Sequence, residues 1–143
     1  MNLTTFPESL NVLLVDDCKD EVGMLAILFR AAGHKVLIAH DGCSAVETAL
    51  RHHPDVIIAD IGLPLMNGYD VARQVRATAG NDYPLMIAST GYGSEADRKE
   101  ALDAGFDFHL VKPYSFEQLL QLLPVCGQPR KQLSPIYPLA LVG

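Results

Sequence analysis

No stretch of this 143-residue chain approaches the roughly 20 consecutive apolar residues that a membrane-spanning helix needs. No basic run is longer than Arg130-Lys131, and the net charge is −6, so the cationic face expected of direct nucleic-acid binding is missing. Met1 to Leu10 carry neither the basic region nor the apolar core of a signal peptide. Cysteine is scarce. Cys18, Cys43 and Cys126 are odd in number, scattered and without metal-ligand spacing, which suggests a reducing, cytoplasmic setting. There is no internal repeat either. What remains is an ordinary globular composition, 49% apolar and 20% charged, at a length suited to one domain with one core.

What is present alternates. Asn11-Val12-Leu13-Leu14-Val15 is an apolar run ending on Asp16-Asp17, and Val56-Ile57-Ile58-Ala59 is another ending on Asp60. Such runs fit strands buried on both faces of a helix-covered parallel sheet. Further strands are expected over residues 35–40, 84–89 and 106–111, and helices over about 19–32, 44–52, 69–79, 94–104 and 115–123. In the first helix Val22, Leu25, Ala26, Leu28 and Phe29 recur at helical spacing, with Asp20 and Glu21 at the positive end of its dipole and Gly33 as C-cap. Val71, Ala72 and Val75 form the inner face of the third, which Gly80-Asn81-Asp82 ends. Ser94 and Ser115 cap the last two helices, and Pro124 stops the chain of elements. His34, His52 and His53 read as solvated helix-end residues.

Five strand–helix alternations imply one doubly wound α/β domain, a parallel sheet with helices on both faces. On this reading residues 1–10 are a leader, 11–125 the domain and 126–143 a tail without an output domain. The apolar end of that tail, Ile136 to Val142, reads as an appendage packed on the body or as a partner-binding peptide.

In a parallel sheet the carboxyl ends of the strands share one edge, where open α/β sheets place their ligands. That edge collects Asp16, Asp17, Asp60, Thr90 and Lys112. Three clustered carboxylates repel one another unless a cation is present, and a hard, oxygen-seeking ion such as Mg²⁺ answers that need. The backbone carbonyl of Ile61 is expected to complete the protein's share of its ligands. Lys112 supplies a point charge for phosphate oxygens, and Thr90 a hydroxyl of adaptable direction. A carboxylate nucleophile, a metal, a cation and a donor are the parts of phosphoryl transfer.

Leu13-Leu14-Val15-Asp16-Asp17, Ile58-Ala59-Asp60-Ile61-Gly62-Leu63-Pro64, Met66-Asn67-Gly68, Ala88-Ser89-Thr90-Gly91 and Val111-Lys112-Pro113 together resemble the receiver domain of two-component response regulators. The likeness covers about residues 11–124. It implies a flavodoxin-like fold with sheet order 2-1-3-4-5 and a sensor histidine kinase or histidine phosphotransfer protein as phosphodonor. It further implies Asp60 as the phosphoacceptor, Mg²⁺ held by Asp16, Asp17 and Asp60, and Thr90 and Lys112 on the acyl phosphate. A cis Lys112–Pro113 bond is also implied. One position departs from the family: His109 stands where receivers commonly carry Tyr or Phe, three residues before the lysine. With Thr90 and Tyr92 it marks the expected switch, the other reading of His109 being a half-buried structural histidine, and signalling through an unidentified downstream protein follows, with homodimerisation open.

Other readings compete. Read singly, Asp60 is a turn aspartate and Asp16-Asp17 a helix cap. A receiver-like interaction module that is never phosphorylated would keep the fold without needing the acids. A Mg²⁺-dependent phosphohydrolase shares an aspartyl-phosphate intermediate but typically carries a second acid two residues after the nucleophile, where this chain has Gly62. An enzyme with an external substrate is therefore not expected; self-catalysed phosphorylation and dephosphorylation are.

Overall fold

Five short strands form one parallel sheet in the order β2-β1-β3-β4-β5. The computed structural model describes residues 9–79, 84–91 and 93–123. The expectations for most of the leader, the 80–82 turn, Tyr92, Pro124 and the 126–143 tail fall outside the described residues. In chain order the elements are β1 (Asn11–Val15), α1 (Lys19–Ala31), β2 (Lys35–Ala39), α2 (Gly42–His52) and β3 (Val56–Asp60). There follow α3 (Gly68–Ala79), β4 (Leu85–Thr90), α4 (Glu95–Ala104), β5 (Phe108–Val111) and α5 (Phe116–Gln121).

The three central strands are apolar on both faces because both faces are covered. Side chains alternate along a strand, so each strand feeds two cores. Leu13, Val15, Ile57, Ala59, Met86 and Ala88 pack with α2, α3 and α4 through Ala45, Ala49, Val71, Ala72, Val75, Ala101 and Ala104. Val12, Leu14, Val56, Ile58, Leu85 and Ile87 pack with α1 and α5 through Val22, Ala26, Phe29 and Leu119. Phe29 and Phe116 meet edge to face, centroids 5.0 Å apart, and join those two helices. The receiver-type sheet order and the helices on both faces are as the sequence implied.

Local chemistry sets the ends. Asp41 accepts from the Ser44 N–H at 2.8 Å, so α2 starts at Gly42, two residues earlier than expected. Ser94 accepts from the Asp97 N–H, and Ser115 with Gln118 forms a reciprocal capping box. β4 runs one residue further than expected and takes in Thr90, whereas β5 begins only at Phe108.

Two expectations need correction. Leu28 is 36% exposed, because Val22, Ala26 and Phe29 at i, i+4 and i+7 define the inward line of α1 and Leu28 lies a helical step off it. His34 is buried, not solvated, and its Nδ1 accepts the Leu10 N–H at 3.1 Å, tying the approach to β1 onto the end of α1. His52 and His53 are exposed as expected.

Candidate functional site

Parallel register brings the strand ends level. Val15 pairs with Ala59, Asp60 with Ser89, and Thr90 with Val111, so the residues that follow β1, end β3 and β4, and follow β5 lie along one edge. Asp16 continues the ladder by donating its N–H to the Ala39 carbonyl at 3.1 Å. Its Oδ1 accepts from the Cys18 N–H at 2.8 Å, which turns the chain into α1. One carboxylate therefore shapes the turn into α1 and faces the site, while the N-cap of α1 is Cys18, which has no side-chain cap bond.

Asp60 is half-buried, and its Oδ1 accepts from the Gly62 N–H at 3.1 Å. Carboxylate oxygens from Asp16, Asp17 and Asp60 all lie within 4.8 Å of one another. Burial pushes the Asp16 carboxyl above its ordinary range; the Asp60 and Glu21 charges add to that, against the Cys18 N–H and the Lys112 charge. Three convergent oxygen donors, one already uncomfortable as an anion, suit a hard divalent cation.

Lys112 enters from the end of β5. Its N–H donates to the Thr90 carbonyl at 2.8 Å, and the Lys112–Pro113 bond is cis, as the resemblance implied. The ammonium lies 3.7 Å from Asp60 Oδ2, 3.7 Å from Asp16 Oδ2 and 3.0 Å from Glu21 Oε1. Burial alone would lower its pKa, but the hydrogen bond to Glu21 and the charges of Asp60, Asp16 and Glu21 outweigh that and hold it above the ordinary lysine range. It is a permanent cation beside Asp60. Thr90 is 6% exposed at the same edge. The helix after Asp60 can start this close only because of Gly68: a Cβ there would sit 2.6 Å from the Asp60 carbonyl.

The Ile61 carbonyl accepts from the Leu63 N–H at 2.9 Å and from the Gly68 N–H at 3.0 Å, within the loop's own structure. Tyr92 lies outside the described residues. His109 is fully buried in β5, and pleat alternation turns it to the α4 side, because Phe108 and Leu110 belong to the α1–α5 core. Neither ring nitrogen has a hydrogen-bond partner among the described residues. Burial lowers its pKa, with the Arg98 charge acting the same way and Asp97 opposing, so the ring is neutral.

Sequence reasoning missed three participants. Glu21 was read only as a helix-dipole residue, although its place four residues after Asp17 was a usable signal. Ser89 and Tyr114, whose hydroxyls lie 3.3 Å apart, line a small cleft under Asp16 and Asp60 and left no such signal. Beside the site a groove of about 480 Å³ runs between α1 and the β5–α5 loop, lined by Asp20, Glu21, Met24, Leu25, Lys112, Pro113 and Tyr114.

The response regulator receiver domain family matches residues 12–124. The response regulator MprA of Mycobacterium ulcerans is 37% identical over 112 residues, 78% of this chain and 47% of that protein, so the chain spans about half the length of the curated relatives it matches. Among solved structures, the receiver domain of the sensor histidine kinase PA1611 from Pseudomonas aeruginosa, with a magnesium ion coordinated in its active-site cleft, is similar at a TM-score of 0.71 and 31% identity, covering 80% of this chain and 96% of that one. The receiver domain of the response regulator Ssk1 of Saccharomyces cerevisiae, solved with the histidine phosphotransfer protein Ypd1, is similar at a TM-score of 0.75 and 26% identity, covering 80% and 86%.

Proposed function

Because this chain belongs to the response regulator receiver family of two-component signalling, we propose that it is a switch that accepts a phosphoryl group on Asp60 from a phosphohistidine. The observation that carries this is the meeting of three acids within 4.8 Å with the Lys112 ammonium 3.7 Å from Asp60. An Asp60 carboxylate oxygen attacks phosphorus, the P–N bond to the donor histidine breaks, and its electron pair returns to the imidazole ring. Asp16, Asp17 and Asp60 would hold Mg²⁺, which when bound offsets the charge of the acids and of the phosphoryl oxygens. The Gly62 carbonyl, which accepts no hydrogen bond among the described residues, is a better fourth donor than that of Ile61. Lys112 and the Thr90 hydroxyl take the remaining phosphoryl oxygens.

The donor is a histidine kinase or a histidine phosphotransfer protein, the latter being what the yeast neighbour was solved with. Such a protein must cover the rim of the site, and there α1 exposes Met24 and Ile27, 61% and 62% accessible, next to the groove. Drawing Thr90 toward the phosphoryl group loosens the packing beside His109, whose ring nitrogens have no hydrogen-bond partner among the described residues. Thr90 and His109 thus form the route to the α4 surface, and output is through binding another protein rather than nucleic acid.

Incubation with Mg²⁺ and acetyl phosphate should add one phosphoryl group by intact-mass measurement, and Asp60→Asn should abolish it. Persistence of the label in that variant, or none in the parent, refutes the assignment of Asp60.

A further inference from the structure

The Lys112 ammonium is closer to Glu21 than to the acceptor. It has three N–H donors and faces three acids: Glu21 Oε1 at 3.0 Å, Asp16 Oδ2 at 3.7 Å and Asp60 Oδ2 at 3.7 Å. Glu21 lies on α1 and Asp60 at the end of β3, so the lysine is held between two elements. Once a phosphoryl group sits on Asp60 its oxygens lie beyond the carboxylate, and Lys112 has to turn toward them. Glu21 opposes that turn, because each N–H aimed at the phosphoryl group is one withdrawn from an ion pair already formed.

We propose that Glu21 is a positioning residue that restrains Lys112 in the unphosphorylated protein and so slows the loading of Asp60. The inference rests on the acceptor reading of Asp60 and adds to it a side chain on a different element. Atom balance is that of the parent reaction. With acetyl phosphate, an Asp60 oxygen bonds to phosphorus, the P–O bond to the acetyl group breaks, and acetate leaves with the electron pair. Glu21 exchanges no proton and touches no reacting atom; it acts through where it keeps Lys112. The Glu21 side chain is 54% exposed, which limits the size of the effect, since solvent screens such pairs.

The test is the rate constant of phosphorylation by acetyl phosphate at saturating Mg²⁺, at about 0.05 M and about 1 M salt. Glu21→Gln keeps the size of the side chain and removes its charge. It should load roughly three to five times faster than the parent at low salt, with the gain shrinking at high salt. Asp20→Asn makes the same charge change one residue away, in the same groove, without a bond to Lys112. It should load at the parental rate. Glu21→Asp keeps the charge but is one methylene shorter, and should fall between Glu21→Gln and the parent. A Glu21→Gln rate at or below that of a parent that labels normally overturns the restraint while leaving the acceptor reading intact. Equal gains in Glu21→Gln and Asp20→Asn overturn it too, by showing a general field effect. A parent that takes no label on Asp60 removes both the reading and the inference.

Discussion

At the scale of single residues, His109 is a titratable side chain enclosed in the sheet. Its imidazole is fully buried, and neither nitrogen finds a partner among the described residues, a cost of roughly 1–3 kcal/mol relative to an apolar ring of similar size. Burial also holds its pKa below the ordinary 6.5, and it does the same to His34. The sign follows from proton binding. As pH falls through 6.5 the unfolded chain takes up protons that the folded rings refuse, so stability is complete above that pH and is lost below it. Each ring can contribute at most about 1.4 kcal/mol per pH unit. The urea midpoint of the parent should therefore drop between about pH 7.5 and about pH 5.5, and His109→Phe should lose part of that dependence while keeping the share due to His34. His109→Phe should also be no less stable than the parent at the higher pH. An unchanged pH dependence in the variant would mean that His109 is protonated in the folded protein, contrary to its burial.

At the scale of elements, α3 and the turn into β5 are joined by side chains. Arg76 on α3 donates to the Gly105 carbonyl through both Nε and Nη2, and its Nη2 reaches Asp107 Oδ1 at 3.2 Å. Asp107 in turn accepts from the Met86 N–H of β4 at 2.9 Å through its other oxygen. Gly105 is the left-handed C-cap of α4 at φ +118°, and a Cβ there would lie 2.7 Å from Arg76 Cγ, so the cap and the arginine fit only together. Arg76→Met and Asp107→Asn should each cost about 1–3 kcal/mol by urea denaturation. The double variant should cost less than their sum by at least about 0.5 kcal/mol, because the two bond each other; strict additivity would show that the Arg76–Asp107 pair carries no coupling. This network left no trace in the sequence, since its partners are about thirty residues apart and of ordinary type. The three central strands were legible because burial on both faces leaves unbroken apolar runs, and α4 and α5 because Ser94 and Ser115 cap them locally. Leu28 misled because spacing along the chain gives a helix face only to within one step, and His34 because its partner at the end of α1, Leu10, lies 24 residues away.

At the scale of the whole molecule, the fold gathers on one edge charges that the chain keeps far apart. Asp16, Asp17, Asp60 and Lys112 were legible as a site because a parallel sheet with short connections has only one carboxyl edge. Sequence gives the place of the loop after Asp60 but not which of its carbonyls accepts the loop's own N–H groups, as that of Ile61 does. The gathering has a thermodynamic consequence. The unfolded chain disperses these carboxylates, whereas the folded chain holds three of their oxygens within 4.8 Å, with Lys112 as their near cation and a net charge of −6 overall. A divalent cation that binds the folded site and not the dispersed acids must therefore raise stability, by about 2.7 kcal/mol at a hundred times its dissociation constant. Screening of the net charge by any salt would also stabilise, so the comparison has to be made at matched ionic strength. Melting in MgCl₂ against KCl of equal ionic strength should show an upward shift that grows with the logarithm of Mg²⁺ concentration. Asp60→Asn removes one of the three acids, relieves their repulsion and weakens the site. That variant should melt higher than the parent without Mg²⁺ and gain less when it is added. A parent whose melting temperature is the same in both salts, or an Asp60→Asn variant that gains as much as the parent, would show that the acids meet without forming a cation site.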